Sequence, residues 1–143
     1  MKRILVSIAL LLAVAVVVAA CSASFSTANI SNAVLAKDVK GDKFDPIDPT
    51  STFPADQPVI HLVVTLKNAP SGTTVKATWT AVDVGDAAPA NTMIDEAEMT
   101  MDGSGNVHFT LSLPSSGVWP VGKYKADIYL NGKLDKTVEF TVA

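Results

Sequence analysis

The chain predicts an all-β domain, built as a sandwich or a barrel. Seven runs of β-branched and aromatic residues recur between residue 29 and the C-terminus. Clusters of Gly, Pro, Asn and Asp separate them roughly every ten residues, the spacing of sandwiches and barrels. Several runs alternate apolar and polar residues, as a strand with one buried face does. No segment beyond residue 29 carries a helical period.

The elements follow in order. A first strand is expected over 29–37, where Ile30, Val34 and Leu35 are apolar. Residues 38–58 hold four prolines and five aspartates and predict a long loop without strands. The second strand, 59–67, is almost continuous in β-formers, and Asn68-Ala69-Pro70-Ser71-Gly72 turns the chain. The third, 74–82, sets Val75, Ala77, Trp79 and Ala81 on one face against Lys76, Thr78 and Thr80. A fourth strand over 93–101 puts Ala97, Met99 and Met101 on its apolar side. Asp102-Gly103-Ser104-Gly105-Asn106 then leads into a fifth, 107–113, lined by Val107, Phe109, Leu111 and Leu113.

The sixth strand, 123–130, buries Tyr124, Ala126 and Ile128; the seventh, 133–142, buries Leu134, Val138, Phe140 and Val142. A plain two-residue Asn131-Gly132 loop would set the apolar face of one of these strands beside the polar face of the other. Side chains alternate with period two, so a one-residue shift corrects the mismatch. A three-residue loop, Leu130-Asn131-Gly132, pairing Ile128 with Leu134 and Tyr124 with Val138, or an equivalent bulge, is expected.

Residues 1–20 differ from the rest. Lys2 and Arg3 precede a stretch, 4–20, that is apolar except for Ser7 and ends in small residues. This is the plan of an export signal. Val18-Ala19-Ala20-Cys21 resembles the lipobox of bacterial lipoproteins, in which the chain is cut before the cysteine and the thiol is acylated. The resemblance implies cleavage after Ala20, a lipid on Cys21 and a partner in the membrane itself. Ser22 in place of the Asp that favours inner-membrane retention implies the outer membrane in a Gram-negative cell. Residues 21–28 would be a short tether, reaching at most about 28 Å when extended, and 29–143 the folded domain.

Such cleavage leaves 123 residues with nine lysines, no arginine and fourteen acids, a formal charge of −5. One domain of that size buries a sufficient core without staples, and a single acylated cysteine forms no disulfide. Scattered lysines without arginine argue against nucleic acid as a partner.

Two features resemble the immunoglobulin-like family. Trp79 faces inward on the third strand, where such domains carry a core tryptophan. Gly122-Lys123-Tyr124-Lys125-Ala126 resembles the tyrosine-corner stretch, with Ala126 in place of cysteine. The partner cysteine on the second strand is absent too, replaced by Leu62 or Val64, so a disulfide-free or fibronectin-III-like relative is implied. The run from Trp119 to Tyr124, with Asp127 to Lys133 and Phe140-Thr141-Val142, is similar to the C-terminal hairpin of small bacterial surface lipoproteins and Ig-like modules. The resemblance implies a seven-stranded antiparallel immunoglobulin-like β-sandwich behind the signal segment.

Catalytic chemistry finds no foothold. Gly-x-Ser-x-Gly, His-Glu-x-x-His and phosphate-binding glycine loops are missing from the sequence. His61 and His108 are expected to be separate, solvent-facing strand residues, with no metal site. Asp102-Gly103-Ser104-Gly105-Asn106 lacks the glutamate of a calcium loop, since position twelve is Leu113. No cofactor is expected. The expected activity is non-catalytic binding or scaffolding at the cell envelope, toward a protein or an envelope component. Loops without secondary structure as long as 38–58 tend to be functional or disordered. Within it, Phe44, Asp45, Ile47, Asp48 and Phe53 are the candidate binding residues. The alternative is a loop-based inhibitor of an extracytoplasmic enzyme, which would expose apolar or aromatic residues at neighbouring loop tips; Trp119 is expected to fold back instead.

Overall fold

The computed structural model describes residues 26–143. The signal motif Val18, Ala19, Ala20 and the lipidation position Cys21 lie outside the described residues. Nine strands are present: β1 (Asn29–Lys40), β2 (Asp45–Pro49), β3 (Thr52–Phe53), β4 (Val59–Lys67), β5 (Ser71–Asp83), β6 (Thr92–Asp102), β7 (Gly105–Ser112), β8 (Gly122–Leu130) and β9 (Lys133–Val142). They form two sheets, ordered β2-β1-β4-β7 and β3-β9-β8-β5-β6. Every pairing is antiparallel except β3 with β9.

The two strands beyond the expected seven both come from 38–58. That segment is not a structureless loop. β1 runs on to Lys40, turns through residues 41–44 and returns as β2, with Asp38 opposite Ile47 and Lys40 opposite Asp45. The chain then crosses to the other sheet, where Thr52 and Phe53 lie parallel to Thr141 and Val142. The prolines hid this. Proline cannot donate to a ladder, but an edge strand leaves half of its N–H groups unpaired, so Pro46 and Pro49 cost β2 little.

The facing sides of the two sheets supply the core. β4 contributes Ile60, Leu62, Val64 and Leu66; β5 contributes Val75, Ala77 and Trp79; β7 contributes Val107, Phe109 and Leu111. Phe140 sits at the centre of an aromatic cluster. Phe53 meets it edge-on at 5.8 Å and Trp79 at 6.1 Å, and Tyr124 stacks on it at 5.2 Å. These are the preferred offset and T-shaped arrangements of ring quadrupoles.

The tyrosine corner is formed. The Tyr124 hydroxyl donates to the carbonyl of Pro120, four residues upstream. Burial raises the pKa of that phenol above its ordinary value. Gly122 is required beside it, because a Cβ there would sit 2.2 Å from the Asp83 carbonyl oxygen. Trp119 folds inward as expected and donates its indole N–H to Gln57 O at 2.8 Å.

The β8–β9 hairpin restores face parity by a different route from the expected three-residue loop. The loop is two residues, with Asn131 and Gly132 both at positive φ, as a type I′ turn requires. A bulge in β9 then supplies the shift: Tyr129 pairs with Leu134 but Ile128 pairs with Lys136. Tyr124 therefore lies opposite Phe140 and Ala126 opposite Val138, and Leu134 is exposed, not buried. The apolar side of the fourth expected strand also differs. Met99 and Ala97, on β6, remain open to solvent.

Candidate functional site

The hairpin β1–β2 folds over the outer face of the first sheet. Its strands leave β4 after Ala36, where Gln57 fills the gap: its amide donates to Lys37 O at 3.1 Å and to Val59 O at 2.8 Å. Beyond that point the 41–44 turn reaches across β4 to β7. Asn106 Nδ2 donates to Lys43 O at 2.7 Å, and Phe44 stacks on His108 with ring centroids 4.7 Å apart. Ala36 and Val63, on the outward side of the sheet, are buried yet stand apart from the main core. The hairpin is what covers this face.

Beneath it the two histidines meet, contrary to the expectation of separate strand residues. β4 and β7 are neighbours with Val63 opposite His108, so His61 is the diagonal neighbour of His108 on the same face. His61 Nδ1 lies 2.9 Å from His108 Nε2. The ring planes differ by 5° and the centroids are 5.2 Å apart. That separation is about the N···N distance plus two ring radii, so the rings lie edge to edge, joined by an in-plane N–H···N bond. Asp38 Oδ1 is 4.0 Å from His61 Nε2, on the far side of that ring. Burial, and then the charge of His61, hold His108 below the ordinary histidine pKa.

One of the two facing nitrogens donates and the other accepts, the roles following the tautomers of the two rings. The signal that could have found the pair was the resemblance itself: in the immunoglobulin-like order the second and fifth expected strands are adjacent. Among the described residues, no group of three or more His, Cys, Asp or Glu side chains is placed to hold a metal ion. The arrangement is suited to latching the hairpin.

The candidate binding residues divide. Phe44 is half-buried in the turn against His108, at φ 52°. Asp45 and Asp48 are exposed and Ile47 is half-buried on β2. Phe53 is fully enclosed in the core and faces no solvent. Two open surface grooves, of about 500 and 670 Å³, lie along β9 and are lined by residues such as Ser31 and Lys136 or Thr52 and Lys123. Neither touches the histidine pair.

No protein-family model matches the chain, and no curated protein matches it. Solved structures do. An immunoglobulin-like protein from Pseudomonas aeruginosa superposes with a TM-score of 0.56 at 14% identity, over 81% of this chain and 96% of that one. The fold is immunoglobulin-like. A second match, with a TM-score of 0.51 at 12% identity over 80% of this chain, is the alkylpurine DNA glycosylase AlkC from Pseudomonas fluorescens, solved bound to DNA containing an abasic site analogue. There the chain spans 30% of the larger protein. A β-D-glucoside glucohydrolase from Trichoderma reesei matches at a TM-score of 0.45, 16% identity, over 83% of this chain and 19% of its own, too loosely to argue from. The Ig-like protein is matched over nearly its whole length, the glycosylase over 30% of its own. At these identities the likeness concerns the fold alone.

The strand order refines that statement. In the constant-type antibody arrangement the strand after C joins the sheet of B and E. Here β6 stays hydrogen-bonded to β5 instead, and β7 is the last strand of its sheet. That excludes the constant-type order and keeps the fibronectin-III-like one.

Proposed function

We propose that the chain is a lipoprotein, anchored outside the cytoplasm through a lipid on Cys21, whose sandwich acts as a non-catalytic binding or scaffolding module at the cell envelope. The observation that carries the anchor is Val18-Ala19-Ala20-Cys21, placed where an export signal ends and eight residues before β1. Binding is favoured over catalysis because the half-buried pair of His61 and His108 is spent on bracing the hairpin, with Phe44 stacked on His108. The proposed contact surface is the exposed part of that hairpin: Asp45, Asp48, and the accessible edges of Phe44 and Ile47. Phe53 belongs to the core and takes no part.

The inhibitor reading gains less support. Trp119 is folded inward, and the exposed Val118 and Val121 stand on a single loop, not on neighbouring tips.

Metabolic labelling with an alkyne fatty acid tests the anchor. Wild-type chain should incorporate label and partition into detergent. Cys21→Ala should lose the label and accumulate as an unprocessed or mislocalised precursor. If the variant still matures at the same position and partitions as before, the lipoprotein reading fails.

A further inference from the structure

β6 is the last strand of its sheet, and among the described residues most of its inner face has nothing opposite it. On the inner side of the second sheet Val75, Ala77 and Trp79 are all at most 1% exposed. Their cross-strand partners on β6, pointing the same way, are Met99, Ala97 and Asp95. All three are exposed, Met99 at 39%. The change occurs in one strand step. It follows from sheet width: the first sheet ends at β7, so β5 is roofed by the opposite sheet and β6 overhangs it. Towards Met101 the gap closes, because that side chain packs on the core.

The overhang borders a second unfilled element. Among the described residues β7 pairs only with β4, so the backbone groups along its other edge have no strand partner there. One strand hydrogen-bonded there, about 4.8 Å further out in the plane of the first sheet, would lie beneath Ala97 and Met99. A strand added to the outer edge of β6 would leave both uncovered.

We propose that this slot, between the free edge of β7 and the inner face of β6, accepts an extended segment of another protein as an additional strand. The segment would carry alternate apolar side chains toward Ala97 and Met99, and a lysine or arginine toward Asp95. The inference rests on the binding-module reading and names its partner class. Charge complementarity sets the basic residue. Asp95 shares the face of Ala97 and Met99 and is in no ion pair among the described residues, while Glu96 and Glu98, opposite Thr78 and Lys76, lie on the other face. β6 itself carries no cation.

A second copy does not fit. Its β7 is already roofed by its own β5 and β6, which would collide with the overhang, and pairing would bring two acidic β6 strands together. A bare strand carries no such roof. Strand addition of this kind takes affinity from main-chain hydrogen bonds and specificity from alternate side chains.

The test uses the full chain in detergent micelles. The probe is an acetylated, amidated peptide of about nine residues that alternates valine and threonine, with one lysine on the valine face. Matched peptides carry glutamate in place of the lysine, or a central proline that abolishes strand pairing and controls for micelle binding. The lysine peptide should slow hydrogen exchange of the outward amides of β7 at least about tenfold, and the proline peptide should not. The glutamate peptide should bind at least about tenfold more weakly, and Asp95→Lys should reverse the preference. If Asp95→Lys fails to fold, Met99→Lys should weaken the lysine peptide instead. Equal binding of lysine and glutamate peptides, protection on β6 or β2 but not β7, or β7 amides already protected in a dimer of the free protein would each overturn the proposal. The lipid-labelling result is independent of all these outcomes, so failure here leaves the anchor standing, and the reverse.

Discussion

The fold opposes protonation of His108. Its pKa is lowered by burial and by His61, so between its folded value and the ordinary value near 6.5 the unfolded chain binds more protons than the folded one. Stability must then rise with pH across that window. It is complete above about pH 6.5 and is lost as pH falls through the folded pKa. With both rings protonated, the 2.9 Å contact beneath the 41–44 turn has two N–H groups and no acceptor. Acid should therefore loosen the hairpin before it unfolds the domain. Amide exchange at Lys43 and Phe44 should accelerate below pH 6.5 in the wild type, and His108→Gln should flatten that profile. An identical acid response in the variant would place the sensitive group elsewhere. Asp38 faces the far side of His61 from β1, its Oδ1 4.0 Å from Nε2.

At the scale of elements, the segment 38–58 does two mechanically different jobs. Phe53 on β3 is fully enclosed and meets Phe140 at 5.8 Å, whereas Phe44 lies half-exposed on His108 at 4.7 Å. Phe53→Ala should cost about 3–5 kcal/mol, the price of an emptied aromatic site in a core. Phe44→Ala should cost about 0.5–1.5 kcal/mol for the lost ring contact while freeing the turn. Denaturant titrations of the two variants check this; comparable losses would mean that the hairpin is as much a part of the core as β3. Only part of this division was legible. The aspartates and prolines mark a segment unlike the strands around it, and they hide β2, because composition reports that a proline is present but not that its missing N–H would have pointed away from the sheet.

For the whole molecule, stability should depend on packing alone. The chain has one cysteine, so no intrachain disulfide forms. Trp79→Ala, which empties the inner face of β5 against Phe140, should cost about 3–5 kcal/mol, a large share of the margin of a domain this size. Chelator and reductant should leave the melting temperature unchanged. A fall with chelator would point to a cation held by the aspartates of 38–58. The proposed anchor at Cys21 lies eight residues before β1 and would hold the sandwich close to its membrane.

Period-two alternation, turn residues and the Gly122–Ala126 stretch were enough to determine the all-β class, seven of the nine strands, the inward Trp79 and the tyrosine corner, because each depends on neighbours within a few positions. Parity alone also required a one-residue shift between β8 and β9. Whether that shift sits in the loop or in a bulge at β9 was decided by tertiary packing, which brings Phe140, not Val138, to Tyr124. The same holds for the functional surfaces. His61 and His108 are 47 residues apart, and only the pairing of β4 with β7 makes them partners. Met99 has the alternation of a core residue and is exposed, because burial depends on how far the opposite sheet extends, and no local pattern records the width of a distant sheet.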